Sequence, residues 1–195
     1  LRHVSMLLLA SRSPRRRRLL KSLGRPFRVV RSSYREHIIR GATPSANAMR
    51  NAAGKAQGAR LPARACQGLV IGADTFLWFR GRVIGKPRDL PHARRLFRRL
   101  SGRAHWVYTG LCLLDAASGR YRASYDKTKV TFKPFTGEAI ARFFARASPL
   151  DLAGGYAIQE ERGELIARIE GSRSNVIGLP MELLRRELAA FELVG

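Results

Sequence analysis

Apolar and polar positions follow two different periods along this chain, and each change of period marks an element. Met6-Leu7-Leu8-Leu9-Ala10 is an unbroken apolar run of strand length, closed by the polar stretch Ser11-Arg12-Ser13. A helix follows at once. Ser13 suits an N-cap and Pro14 the first helical position, Leu19, Leu20 and Leu23 share one face, and Gly24 is placed to end the helix. Phe27-Arg28-Val29-Val30 reads as a second strand. Thr43-Pro44 opens a helix with Ala46, Met49, Ala53 and Ala56 at helical spacing and Lys55 beside that face. Gly68 to Phe79 is strand-like and turns through Arg80-Gly81 into Arg82-Val83-Ile84. Asp89 with Pro91 starts a helix to about Leu100, which Ser101-Gly102 ends. His105 to Leu114 and Tyr121 to Phe132 are two longer strands around a hairpin turn at Ser118-Gly119. A helix around Glu138 to Arg146, a glycine-rich connection, a strand near Glu164 to Ile169 and a last helix from Gly178-Leu179-Pro180 to about Ala190 complete the order. Strands and helices mixed in this way predict an α/β architecture, a sheet flanked by helices.

Length and composition narrow the picture. A chain of 195 residues with 45% hydrophobic content makes one domain, or a compact two-lobed one, with an ordinary core. The formal net charge of +23 implies attraction to polyanions such as nucleoside triphosphates, nucleic acid or an anionic surface. Lysine stands only at Lys21, Lys55, Lys86, Lys127, Lys129 and Lys133, so arginine carries most of that charge. The arginines are scattered along the chain rather than gathered in one tail, which fits a coding bias toward arginine. Cys66 and Cys112 lie far apart and form no metal ribbon or disulfide framework, so reduced thiols are expected. The apolar run at Met6 is too short for a signal-peptide core or a membrane span, and a cytoplasmic location is expected.

Candidate chemistry gathers at strand ends and loops. The strand, loop and helix start from Met6 to Arg16 aim free backbone amides, the hydroxyls of Ser11 and Ser13, and guanidiniums at one place, a construction that suits phosphate. Asp74 stands inside an apolar strand, where a carboxylate is costly unless it is paired or coordinates a metal. Lys86, in Gly85-Lys86-Pro87, follows a glycine that permits close backbone approach. Read singly, Asp74 is a strand aspartate satisfied by amides, Glu36 a solvated loop acid, Lys55 a surface lysine and Lys86 a residue of a surface turn. Read together, they supply two carboxylates for a divalent cation and several cations for a polyphosphate. No G-x-x-x-x-G-K-[ST] loop, G-x-S-x-G elbow or H-E-x-x-H pair is present, and His3, His37, His92 and His105 are dispersed.

The ordered set of motifs resembles the Maf family of nucleoside triphosphate pyrophosphatases. It runs through Ala10-Ser11-Arg12-Ser13-Pro14-Arg15-Arg16, Lys55-Ala56, Gly72-Ala73-Asp74-Thr75, Gly85-Lys86-Pro87, Leu100-Ser101-Gly102-Arg103 and Val107-Tyr108-Thr109-Gly110. Val130-Thr131-Phe132, Ala153 to Gln159, Glu170-Gly171-Ser172, Ser174-Asn175-Val176 and Gly178-Leu179-Pro180 complete it. The resemblance implies a two-lobed α/β fold like that of inosine triphosphate pyrophosphatases, formed by residues 1–195 as a single domain, with a mixed central sheet flanked by helices. It also implies a nucleotide cleft between the lobes and often a homodimer. The implied reaction is hydrolysis of a nucleoside triphosphate to the monophosphate and pyrophosphate with Mg²⁺ or Mn²⁺. By matching position, Asp74 would be the general base and a metal ligand, with Glu36 helping to hold the metal. Ser11, Arg15, Arg16, Lys55 and Lys86 would grip the phosphates, and Thr75 and Gln159 would lie near the nucleotide. The segments around Asp74 and Gln159 look like the branch that acts on dTTP and UTP.

The chain departs from the family pattern at Arg35, Leu152, Glu160-Glu161 and Arg173, none of which is assigned to chemistry; the pair after Gln159 bears on the choice of base. A second reading stays open at this point. It is a catalytically weak regulator of septum formation that binds nucleotide or nucleic acid through its positive charge. Weak nonspecific nucleic-acid binding is expected from the charge in either case.

Overall fold

The computed structural model describes residues 6–62, 67–152, 156, 158 and 163–193. Seven strands form one hydrogen-bonded sheet in the order β2-β1-β3-β5-β6-β7, with β4 pairing β3. These are β1 (Leu7–Leu9), β2 (Phe27–Val29), β3 (Leu69–Phe79), β4 (Arg82–Ile84), β5 (Ala104–Asp115), β6 (Tyr121–Phe132) and β7 (Ile166–Glu170). β1 runs parallel to both β2 and β3, while the β3–β4 and β6–β7 pairs are antiparallel, so the sheet is mixed as the sequence implies. The helices are α1 (Pro14–Lys21), α2 (Pro44–Gln57), α3 (Leu90–Leu100), α4 (Gly137–Arg146), α5 (Arg173–Ile177) and α6 (Met181–Leu193). The predicted caps are in place: Ser13, Thr43 and Asp89 each accept a backbone N–H three residues on. The short α5 is an element the hydrophobic pattern did not disclose. No helix among the described residues is long and apolar enough to cross a membrane.

The chain divides into two compact units. The first comprises Leu1–Asp74, Thr109–Asp126 and Gly178–Gly195; the second comprises Thr75–Tyr108 and Lys127–Ile177. In the first, alternate strand residues feed opposite cores. Leu7, Leu9, Leu69, Ile71, Leu111 and Leu113 pack with Leu20 of α1 and with Leu184 and Leu188 of α6. The residues between them, Leu8, Val70 and Cys112, pack with Ala52 and Ala56 of α2. Burial on both faces explains why β1 reads as a continuous apolar run rather than an alternation. Each such buried leucine contributes about 1.5–3 kcal/mol. In the second unit, Leu77, Phe79, Val107, Val130 and Phe132 pack with Phe97 of α3 and Phe143 of α4.

α2 corrects the sequence reading in one respect. Its buried face carries Asn47, Ala48, Asn51, Ala52, Lys55 and Ala56. Of the expected apolar set only Ala56 is buried, while Ala46, Met49 and Ala53 are half-buried. The reason is close backbone approach. A Cβ on Gly72 of β3 would stand 2.9 Å from Ala56 N and nearer still to the Ala52 carbonyl oxygen. One on Gly110 of β5 would stand 2.7 Å from Met49 N and press on the Ala48 carbonyl. The helix backbone lies on these two glycines, so alanines fill the contact and longer side chains flank it.

Candidate active site

The loop after β1 builds the first half of the site. Ser13 N donates to Ser11 Oγ at 3.3 Å, and Arg16 N donates to Ser13 Oγ at 3.4 Å, which folds the loop onto the start of α1. The Arg16 guanidinium turns back over this loop: Nη1 donates to Ser11 Oγ at 3.2 Å and Nε to the Gly178 carbonyl at 2.7 Å. A hydroxyl that accepts two bonds still has its own proton to donate. Burial draws the Arg16 guanidinium below its ordinary range; Asp74 and Glu36 pull it back up, and neighbouring Arg15 lowers it further. Arginine keeps its charge under such pressure at neutral pH.

The second half hangs from α2 and β3. Gly72 and Asp74 point to the same face of β3, being two residues apart. The glycine that admits α2 therefore puts Asp74 directly beneath that helix. Lys55 Nζ donates to Asp74 Oδ1 at 2.7 Å and to the Ala73 carbonyl at 3.1 Å. The same ammonium meets Glu36 Oε1 at 2.5 Å. Asn51 Nδ2 donates to the other oxygen of Asp74, Oδ2, at 2.9 Å. The Asp74 and Lys55 side chains are 6% and 11% exposed, whereas Glu36 is 59% exposed. Asp74 is thus a buried carboxylate with both oxygens engaged, and Glu36 is its exposed counterpart across one shared cation.

Two carboxylates and two cations, Arg16 of α1 and Lys55 of α2, thus come within electrostatic reach of one another. The family model for Maf-like protein matches residues 6–191. The chain belongs to the Maf family. A dTTP/UTP pyrophosphatase of Moorella thermoacetica is 42% identical over 188 residues, covering 96% of this chain and 96% of that protein. A protein of the same name from Pelotomaculum thermopropionicum is 40% identical over 185 residues, 95% of this chain and 96% of its own. A dTTP/UTP pyrophosphatase of Gloeobacter violaceus is likewise 40% identical, over 95% of this chain and 96% of that protein.

Among the residues that the Maf resemblance singles out, Ser11, Arg15, Arg16, Glu36, Lys55 and Asp74 all fall in the first unit. The bond from Arg16 links Ser11 to it, and Lys55 joins Glu36 to Asp74. Thr75 follows Asp74 on β3 and falls in the second unit, as does exposed Lys86 on the segment after β4. Gln159 lies outside the described residues, with Glu160 and Glu161. Lys55 is not the surface lysine it suggests when read singly, being buried and paired with both acids, whereas Glu36 is an exposed loop acid that nonetheless bonds Lys55. His105 is structural: it is buried, with Nε2 2.8 Å from the Tyr156 hydroxyl, and burial lowers its pKa to about 4. Sequence reasoning missed Asn51, Asn47 and Tyr34. The available signal was the spacing Asn47, Asn51, Lys55, one residue per turn along a single face of an alanine-rich helix.

Proposed function

We infer that this Maf-family protein hydrolyses nucleoside triphosphates, with dTTP and UTP as its preferred substrates, to the monophosphate and pyrophosphate, and so clears noncanonical or excess pyrimidine nucleotides. The observation that carries the reading is the convergence of Asp74 and Glu36 on Lys55 Nζ, at 2.7 and 2.5 Å, within the electrostatic reach of Arg16. The names of the relatives support the substrate class.

The chain's own residues divide the work by their chemistry. A carboxylate has about four lone-pair sites, so Asp74 still has acceptor capacity for a water proton after Lys55 and Asn51 are bonded. As general base it would take that proton while water attacks the phosphorus and the bridge between the α- and β-phosphates breaks, leaving the monophosphate and pyrophosphate. Arg15 and Arg16 would hold the phosphates against the loop, with the Ser11 hydroxyl donating to a phosphate oxygen and Lys86 adding a further cation. Gln159 would read the base, since its amide offers a donor and an acceptor to the alternating N–H and C=O groups of a pyrimidine.

Mg²⁺ or Mn²⁺ fits the donor set at Glu36 and Asp74. Mg²⁺ commonly takes one or two carboxylates and completes its shell with phosphate oxygens and water. When bound, the metal would supply neutralisation of phosphate charge. The regulatory reading is the weaker one, because the relatives are named as pyrophosphatases and a carboxylate pair sharing one cation has no use in gripping a nucleic-acid backbone.

Pyrophosphate release measured over a panel of UTP, dTTP, CTP, ATP and GTP with Mg²⁺ tests the function. UTP and dTTP are expected to lead in kcat/KM, and a clear preference for GTP would overturn the pyrimidine assignment alone. Asp74→Asn keeps the shape but loses the base, so kcat is expected to fall by about 10²–10⁴ while nucleotide binding persists. Turnover close to that of the parent would refute the role of Asp74.

A further inference from the structure

We propose that Asn51 is a positioning residue, one carboxamide that fixes Asp74 on one side and the Glu36-bearing loop on the other. Its two ends face partners of opposite chemistry. His37 N, a backbone donor without alternative, lies 3.3 Å from Asn51 Oδ1, and the Tyr34 hydroxyl lies 3.0 Å from the same oxygen. The carbonyl end must therefore face the loop, which turns the NH₂ end to Asp74 Oδ2 at 2.9 Å. Reversing the amide would oppose two donors at one end and two acceptors at the other. Its orientation follows from its partners.

Tyr34 and His37 flank Glu36 in the chain, so the bonds to Asn51 clamp the loop on either side of that acid. The clamp has supports of its own. Gly54 replaces a side chain that would run into the Tyr34 ring, so the ring lies against α2 and brings its hydroxyl to Asn51. One turn before Asn51, Asn47 repeats the device: its Oδ1 accepts from Ile39 N at 2.9 Å and its Nδ2 donates to the Ile39 carbonyl at 3.2 Å. Asn47 and Asn51 are each 1% exposed. Two fully buried amides on an alanine helix are costly unless bonded, and here every bond they make goes to the loop, to α2 or its cap, or to Asp74. Lys55 holds one oxygen of Asp74 and an exposed Glu36; Asn51 holds the other oxygen and the backbone next to Glu36. Without Asn51, Asp74 could rotate about Lys55 and the loop could drift, so the two acids would lose their common register.

This inference rests on Asp74 being the base. The experiment compares Asn51→Leu, Tyr34→Phe and Asp74→Asn in the full chain by steady-state kinetics with UTP and by thermal melting. Asn51→Leu keeps the size but removes both contacts, and is expected to lower kcat about 10- to 100-fold with KM within about threefold of the parent, the scale of a misaligned site. Tyr34→Phe removes one of the two loop bonds and should lower kcat about threefold, again with KM little changed. A folded Asn51→Leu with kcat within about twofold of the parent would overturn the proposal. A rise in KM that accounts for the whole loss would also overturn it. If Asn51→Leu does not fold, Tyr34→Phe decides: unchanged kcat overturns the clamp. The control separates the two readings, because an active Asp74→Asn refutes the base itself, whereas an inactive one beside an unaffected Asn51→Leu refutes only the positioning role.

Discussion

Gly72→Ala tests whether the close seat of α2 on β3 sets the geometry of the site. The added Cβ would stand 2.9 Å from Ala56 N and 3.0 Å from Ala56 Cβ, and nearer still to the Ala52 carbonyl oxygen. Carbon contacts settle at about 3.5–4.0 Å, so α2 must withdraw from the strand by roughly 1 Å. The neighbours are backbone and Cβ atoms of the helix, and no rotamer change relieves them. Overpacking of this kind costs about 1–3 kcal/mol, a melting temperature lower by about 3–10 °C for a chain of this length. Activity should suffer more than stability. Asn51 and Lys55 hang from the helix and Asp74 from the strand, so the same retreat stretches the 2.7 and 2.9 Å bonds beyond hydrogen-bond reach. A displacement of about 1 Å in a reacting site can cost about 100-fold in rate. The assay is kcat for UTP beside a melting curve, with Gly137→Ala as control. At the start of α4 an added Cβ meets nothing within 4 Å, so that variant should be neutral or up to about 1 kcal/mol more stable. A Gly72→Ala protein with parental kcat and melting temperature would refute the close-approach argument.

Arg16→Lys should raise KM for triphosphate about tenfold with little loss of melting temperature, because an ammonium cannot reproduce the fork that spans Ser11 Oγ and the Gly178 carbonyl; an unchanged KM would count against a phosphate role. His105 predicts a pH dependence of stability. Its pKa is about 4 when folded against about 6.5 unfolded, so below pH 6.5 the unfolded chain takes up a proton that the native one refuses. Stability from this source is complete above about pH 6.5 and falls by about 3 kcal/mol as pH drops toward 4. Urea midpoints at pH 7.5 and 4.5 should therefore differ less in His105→Gln, which keeps an acceptor for the Tyr156 hydroxyl, than in the parent; equal differences would place the pH dependence elsewhere.

The elements were legible because local chemistry and tertiary structure agree on them. Ser13-Pro14, Thr43-Pro44 and Asp89 cap helices by their own side chains, and Arg80-Gly81 and Ser118-Gly119 turn the chain where glycine supplies positive φ, as at Gly81 and Gly119. Asp74 was legible as well, since a carboxylate in an apolar strand demands a partner. The orientation of α2 was not. Periodicity assigns the buried face to apolar residues, but here the closest contact is between backbones, through Gly72 and Gly110, and the positions beside it go to Asn47, Asn51 and Lys55. A glycine in one element and an alanine row in another announce close packing only when their pairing is known, and pairing is a property of the fold. The bonding of Glu36 was hidden for a similar reason: its partner lies 19 positions on, on another element.

The proposed function asks an acid pair to serve a polyanion, and the charge around it bears on how. Asp74 and Glu36 stand against Lys55 and within electrostatic reach of Arg16, whose neighbour Arg15 adds a third cation, and so a slight positive excess. Lys55 alone could neutralise only one acid, and a naked pair of carboxylates would oppose the approach of any phosphate. The fixed cations remove that opposition without abolishing the basicity that water activation requires, because Asp74 keeps lone pairs free beyond its two bonds. A triphosphate still carries far more charge than the local excess balances, which is the physical case for a dication at Glu36 and Asp74. The remainder of the +23 is spread along the chain, outside the central strands β1, β3 and β5. It would raise the local concentration of any polyanion through long-range attraction that salt screens, whereas the bonds among Lys55, Asn51 and Asp74 act at contact and are screened much less. Raising salt should therefore weaken nonspecific capture of nucleic acid steeply, and turnover at saturating substrate much less.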